Sequence, residues 1–109
     1  MKKSKSYNSR YQRDRIQTFL EKGAIILDVR SKQEWKTGHI PDSKHIEFKQ
    51  ISNYLEEIKG FDKPVIAVCV SGYRSSEVTN FLASHGVDAI NGGSWQNVNE
   101  LMNLNSQPK

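Results

Sequence analysis

The sequence predicts a three-layer α/β domain whose sheet is mainly parallel and flanked by helices on both faces. Three observations predict it. Short β-branched runs alternate with segments of helical period, the runs are mostly apolar, as strands buried on both faces must be, and glycines punctuate the boundaries. With 109 residues, 36% of them hydrophobic, the chain is long enough for one core and too short for two ordinary ones.

The elements come in this order. Ile16, Phe19 and Leu20 share a face of a first helix that stops at Gly23. Ala24 to Asp28 reads as the first strand. Ser31 and Glu34 match a capping box, in which each side chain satisfies the other's backbone N–H, so a short helix starts directly after that strand and ends near Gly38. Lys44 to Ile46 is a weak strand. Ile51, Tyr54, Leu55 and Ile58 have the i, i+3, i+4, i+7 spacing of a helical face before Gly60, and Val65 to Val68 is the strongest strand. Val78, Phe81 and Leu82 mark another helix, with Gly86 placed as its C-cap residue. Val87 to Ile90 is the last strand. Gly92 and Gly93 then supply a turn with unusual angles, and Ser94 caps a final helix carrying Trp95, Val98 and Leu101, with Trp95 filling core.

Charge divides the chain. Lys2, Lys3, Lys5, Arg10, Arg13 and Arg15 face only Asp14 within residues 1–15, so the net charge of +4 belongs to that end and the remainder is close to neutral. The expected organisation is a basic flexible tail over 1–12, a folded domain over 13–102, and a flexible polar tail over 103–109. The basic tail lacks a structured scaffold and aromatic interleaving, so no nucleic-acid partner is expected. It also lacks the apolar run of a secretory signal, and no stretch of the chain is apolar for long enough to span a bilayer. A cytoplasmic protein without a membrane partner is the expectation.

Cys69 is the single cysteine, so it makes no disulfide within the chain and no cysteine zinc site. At the end of an apolar strand such a residue is ordinarily a small buried hydrophobe. The next six residues argue otherwise. Val70, Ser71, Gly72, Tyr73, Arg74 and Ser75 form a polar, glycine-containing loop that leads into a helical pattern. A thiol at the carboxyl end of a strand and the N-terminus of a helix meets unpaired N–H groups and a positive dipole end, which favour the thiolate. Gly72 lets the loop curl so that its N–H groups converge as an anion nest, and Arg74 adds a permanent charge with several donors.

Cys-x-x-Gly-x-Arg-Ser resembles the active-site loop of rhodanese-like sulfurtransferases. Other motifs agree, in that family's order, over roughly residues 14–102. Leu27-Asp28-Val29-Arg30, Glu34-Trp35 and Gly38-His39-Ile40-Pro41 resemble its Asp-Val-Arg, Glu-Phe and Gly-His-Ile-Pro signature, and Asn91-Gly92-Gly93-Ser94-Trp95 resembles its Gly-Gly…Trp segment. Trp35 replaces the usual phenylalanine. Asp42 and Ser43 replace the usual Gly-Ala, and Lys44 and His45 precede the short strand. Protein tyrosine phosphatases also have a cysteine loop ending in arginine, but theirs is Cys-x5-Arg, whereas four residues separate Cys69 from Arg74.

Together the loop chemistry and the resemblance imply a persulfide on Cys69, with the backbone N–H groups of Val70 to Ser75 holding its outer sulfur and Arg74 drawing in an anionic donor. The implied substrates are a thiosulfate-like donor and a thiol or cyanide acceptor, with no cofactor. A relay fed by a protein donor, or an anion- or redox-sensing module without turnover, are the alternatives. Asp28 and Arg30, at a strand end, are expected to fix the loop by hydrogen bonds, and His39 to make packing and backbone contacts near the site. His45 and His85 lack clustered ligands, so no metal site is expected.

Overall fold

The computed structural model describes residues 10–106. Four strands, β1 (Ile25–Asp28), β2 (Lys44–His45), β3 (Val65–Cys69) and β4 (Ala89–Ser94), form one sheet in the order β2-β1-β3-β4, and every neighbouring pair is parallel. Parallel pairs cannot be joined by tight turns, so helical segments intervene. Helix α1 (Arg10–Glu21) precedes β1, and α2 (Lys32–Lys36) follows it. A 3-10 helix over Phe48–Tyr54 runs into α3 (Leu55–Gly60), α4 (Tyr73–Ser84) follows β3, and α5 (Trp95–Ser106) closes the chain.

Strand β3 organises the core. All five of its residues are buried, and their alternation sends Val65, Ala67 and Cys69 into one cluster with Leu27, Ile51, Ile58, Val78 and Leu82. Ile66 and Val68 enter the other cluster, with Ile16, Phe19, Ile90 and Val98. The first cluster lies under the 3-10 helix, α3 and α4, and the second under α1 and α5. This is the expected arrangement of helices on both faces. It also places the Cys69 side chain on the α4 side of the sheet.

Local chemistry explains most boundaries. Ser31 accepts from the Glu34 N–H at 3.2 Å while the Glu34 carboxylate accepts from the Ser31 N–H at 2.8 Å, completing the capping box that starts α2. Gly86 follows α4 with φ of 88°, a left-handed angle that only glycine adopts without strain. Asp42, in place of the glycine usual in the family its motifs resemble, takes φ of 68°, an angle a short polar side chain tolerates, and Ser43 ties the turn to the Ile40 carbonyl through both its N–H and its hydroxyl.

Several expectations are corrected. The segment expected to be one helix through Ile51, Tyr54, Leu55 and Ile58 is a 3-10 helix joined to α3, and the break at Tyr54 (φ −110°, ψ 14°) disrupts the common face. Ile51 and Ile58 are buried, whereas Tyr54 is exposed. Gly92 and Gly93 continue β4, which starts two residues later than expected and runs to Ser94, instead of forming a separate turn, although Gly93 does take an unusual angle, φ of 78°. Gly92 is the extra residue of a bulge, since Ala67 pairs with Asn91 and the next residue, Val68, with Gly93. A Cβ on Gly92 would stand 2.7 Å from Ile66 Cγ2 and 3.0 Å from Val68 and Val98 methyls, so the strand passes here only without a side chain.

Both ends are helical further out than their composition indicates. Arg10 to Gln12, assigned to the tail by composition, form the first turn of α1, and Gln12 donates from its side-chain amide to the Asn91 carbonyl. Asn103 to Ser106 continue α5. The basic residues Lys2, Lys3 and Lys5, and the C-terminal residues 107–109, lie outside the described residues. Among the described residues, no helix is long and apolar enough to cross a membrane.

Candidate active site

Cys69 ends β3 at the point where the loop over residues 70–72 turns into α4. Its side chain is 1% exposed and makes no disulfide. The sulfur lies 3.1 Å from the Gly72 nitrogen, whose N–H donates to it, and 3.3 Å from Ser75 Oγ. Gly72 has φ of 98°, a left-handed angle open to glycine at which the chain turns from the loop into α4. Burial is the largest single influence on the thiol and pushes its pKa up. The Ser75 hydroxyl and the backbone N–H groups of Ser75, Gly72 and Ser71 together outweigh it, and the pKa falls below its ordinary value.

Of the loop residues singled out by sequence, Ser71, Gly72 and Ser75 thus converge on the sulfur. Val70 and Tyr73 instead form the rim, with half of Val70 and most of Tyr73 exposed. Arg74 stands beside the sulfur but spends both terminal nitrogens on Glu34, at 3.0 and 3.2 Å. The Glu34 hydrogen bond is the first cause of a raised Arg74 pKa, and the nearby Cys69 contributes. In return Arg74, with help from the Ser31 N–H, lowers the Glu34 carboxyl to about 2. At neutral pH the two form a neutral pair at the edge of the loop.

Asp28 and Arg30 frame the site without touching the sulfur. The Arg30 guanidinium donates to both Asp28 oxygens at 2.8 to 3.1 Å, to the Gly38 carbonyl at 2.7 Å and to the Glu34 carbonyl at 3.2 Å, and the Trp95 ring covers it at 4.6 Å. Trp95 therefore lies between core and ion pair instead of simply filling core. His39 is exposed; it stacks on Trp35 with ring centres 3.5 Å apart and bonds the Trp35 carbonyl at 2.8 Å.

Two residues escape a reading by motif. Glu34 is visible as a cap, but its bond to Arg74 bridges 40 positions. Asn91 is visible only as the neighbour of Gly92, yet its side chain accepts from Ser75 Oγ at 2.7 Å and from the Gly93 N–H at 2.9 Å, and donates to the Gly72 carbonyl at 3.0 Å. No local signal announces either contact.

A cleft of about 290 Å³ opens beside Arg74, lined by Val29, Ser31, Glu47, Phe48 and Lys49. The larger hollow, about 530 Å³, lies where α3 and α4 end and is lined by Lys59, Asp62, His85 and Asp88 among others. It contains no residue of the Cys69 loop, whereas the smaller cleft includes Arg74. Among the described residues, no three His, Cys, Asp or Glu side chains are grouped to hold a metal ion.

Known proteins share this architecture. Thiosulfate sulfurtransferase GlpE of Pseudomonas syringae pv. syringae is 34% identical over 83 residues, which cover 73% of this chain and 77% of that protein. GlpE of Pseudomonas savastanoi pv. phaseolicola is 32% identical over the same share of each. The crystal structure of a rhodanese-like domain protein from Staphylococcus aureus superposes with a TM-score of 0.67 at 29% identity, over 80% of this chain and 86% of that one. Human single-domain sulfurtransferase TSTD1 shares the fold, with a TM-score of 0.62 at 24% identity over 87% and 94% of the two chains. The sequence pattern of the rhodanese-like domain matches residues 12–100, a span that holds all four strands and the whole Cys69 loop, and the chain belongs to the rhodanese-like domain family.

Proposed function

We propose that this protein is a sulfurtransferase that moves a sulfane sulfur from a thiosulfate-like donor to a thiol or cyanide through a persulfide on Cys69. The observation that carries this reading is the meeting of the Gly72 N–H and the Ser75 hydroxyl on one buried sulfur at the start of α4. The Cys69 thiolate attacks the outer sulfur of thiosulfate, and the electron pair of the broken S–S bond leaves with sulfite. The anionic outer sulfur of the persulfide rests in the loop formed by Val70, Ser71, Gly72, Tyr73, Arg74 and Ser75, where N–H donors stabilise it without reorganising. An acceptor thiolate or cyanide then attacks that sulfur and returns the Cys69 thiolate, in a ping-pong cycle. Arg74 attracts the donor anion and steadies the departing sulfite. The chemistry uses no cofactor, and a single free thiol suits a reducing, cytoplasmic setting.

A relay fed by a protein donor is favoured by one feature, the exposed rim of Val70 and Tyr73 above a buried sulfur. Intact mass after incubation with thiosulfate tests both readings. A gain of one sulfur atom, removed by cyanide and absent in Cys69→Ser, is the expected result. No gain from thiosulfate but a gain from a persulfidated protein would replace the small donor with the relay, and a serine variant that still transferred sulfur would overturn the role of Cys69.

A further inference from the structure

The side chain of Asn91 is held in one orientation by backbone groups alone. Its Oδ1 faces the Gly93 N–H, which can only donate, and its Nδ2 faces the Gly72 carbonyl, which can only accept. Oδ1 is therefore an acceptor towards Ser75 as well, and the single proton of the Ser75 hydroxyl points at Asn91 across 2.7 Å. The lone pairs of Ser75 Oγ are then left for Cys69, 3.3 Å away. That arrangement suits a thiol, whose S–H donates to Oγ. A thiolate needs the opposite, a donor, and Ser75 has only one proton for two acceptors.

We propose that Asn91 is a positioning residue that sets the reactivity of Cys69 by competing with its sulfur for the Ser75 proton. In the thiol state the chain of bonds runs from S–H to Ser75 Oγ and from Oγ–H to Asn91 Oδ1. When the sulfur gives its proton to a base in solvent, the Ser75 hydroxyl rotates and donates to the thiolate, and Oδ1 keeps the Gly93 N–H. Neither state leaves a buried group unpaired, which is what makes the exchange cheap. Through Nδ2 the same side chain holds the Gly72 carbonyl, and so the turn whose N–H reaches the sulfur.

The fold supports this placement. Asn91 pairs with Ala67, which lies on the same face of β3 as Cys69, and the bulge at Gly92 comes immediately after. Gln12 of α1 binds the Asn91 carbonyl from the opposite direction. The charged groups around the loop are the paired Arg74 and Glu34 from α4 and α2, the paired Asp28 and Arg30 from the end of β1, and Glu47 and Lys49, which line the cleft beside Arg74. Tyr73 is on the rim, and β4 contributes no ionisable side chain.

The proposal rests on Cys69 as the reacting group, and its test does not require sulfur transfer. The rate of alkylation by iodoacetamide is measured against pH, beside thermal melts, for the wild type, Asn91→Asp, Asn91→Ala, Ser75→Ala and the Ser75→Ala/Asn91→Ala double variant. Aspartate holds the Ser75 proton more tightly and brings a negative charge, so the midpoint of the profile should rise by roughly one to three pH units. Alanine removes the rival acceptor, so the midpoint should fall by about half a unit to one unit although the melting temperature falls as well. Ser75→Ala should raise the midpoint and cancel the effect of Asn91→Ala. Opposite shifts from the two Asn91 variants cannot arise from a merely structural role. Shifts of the same sign, unchanged profiles, or an undiminished Asn91→Ala shift without Ser75 would overturn the proposal. Should Asn91→Asp fail to fold, the comparison of Asn91→Ala with the double variant still decides it. If the profiles behave as expected while no variant, nor the wild type, carries sulfur, the proposal stands and the sulfurtransferase reading falls.

Discussion

Glu34 grips Arg74 by both terminal guanidinium nitrogens although 40 positions separate them in the chain. Helix α2 is thereby tied to the first turn of α4. A two-pronged pair of this kind is directional as well as attractive, so it decides which way the positive charge beside Cys69 faces.

Breaking that pair from either side should affect anion binding in opposite directions. Glu34→Gln leaves Arg74 without its counter-charge, and the KM for thiosulfate should fall several-fold. Arg74→Ala should cost on the order of ten- to a hundredfold in kcat/KM, mainly through KM. Arg74→Lys should recover part of the loss, since lysine keeps the charge but not the fork of donors. Steady-state kinetics with thiosulfate and with an uncharged donor provide the measurement. Equal losses on both donors at constant KM would reduce Arg74 to a strut of the loop.

Acid should dissolve the same contact. The Glu34 carboxyl is lowered from 4.5 to about 2 in the folded chain. A depressed folded-state pKa contributes stability that is complete above the unfolded value and is lost as pH falls through the folded one, here between about 4.5 and 2. Side chains 31% and 35% exposed are screened by solvent, which limits the contribution to about 1 kcal/mol or less. The melting temperatures of the wild type and Glu34→Gln should differ near neutrality and converge over that acid range. A constant gap would show that the carboxylate charge adds nothing.

Gly92→Ala tests the bulge. The new methyl carbon would lie 2.7 Å from Ile66 Cγ2, and overpacking of this kind costs about 1–3 kcal/mol. At roughly 4–8 °C per kcal/mol for a domain of this size, thermal melting resolves it easily. An alanine variant that melts with the wild type would mean that β4 has room to move away from Ile66, Val68 and Val98.

Truncation at the N-terminus should show a sharp boundary. Removing residues 1–9 leaves α1 entire, whereas removing residues 1–12 takes its first turn and the Gln12 bond to the Asn91 carbonyl. The longer deletion should melt several degrees lower than the shorter one and react more slowly with iodoacetamide. Identical melts and rates for both would show that the first turn of α1 supports neither the fold nor the loop.

How much of the fold and site is legible in the sequence depends on the range over which each feature is determined. The strand VIAV, the Ser31–Glu34 capping box and the glycine after α4 are settled by neighbours in sequence, and the structure matches each. The thiol loop is legible for the same reason, since Cys69, Gly72 and Ser75 lie within a few residues of one another. The unusual angle at Gly93 is legible, but Gly92 misleads because a glycine pair signals a turn locally, whereas at Gly92 a side chain is excluded by Ile66 and Val98, which only the folded sheet brings near. Asn91 and the second role of Glu34 are illegible because their partners come from other elements. The first turn of α1 is hidden by its polarity, as its apolar face begins only at Ile16.

The bond from Ser75 to Asn91 spans 16 positions and requires β4 to be paired with β3. On the ribosome Cys69 is made before any of β4 exists, so an unfinished chain carries Ser75 without its rival acceptor Asn91 and a Gly72 carbonyl without its side-chain donor. The hydrogen-bonded chain that sets the balance between thiol and thiolate is complete only when the final strand docks.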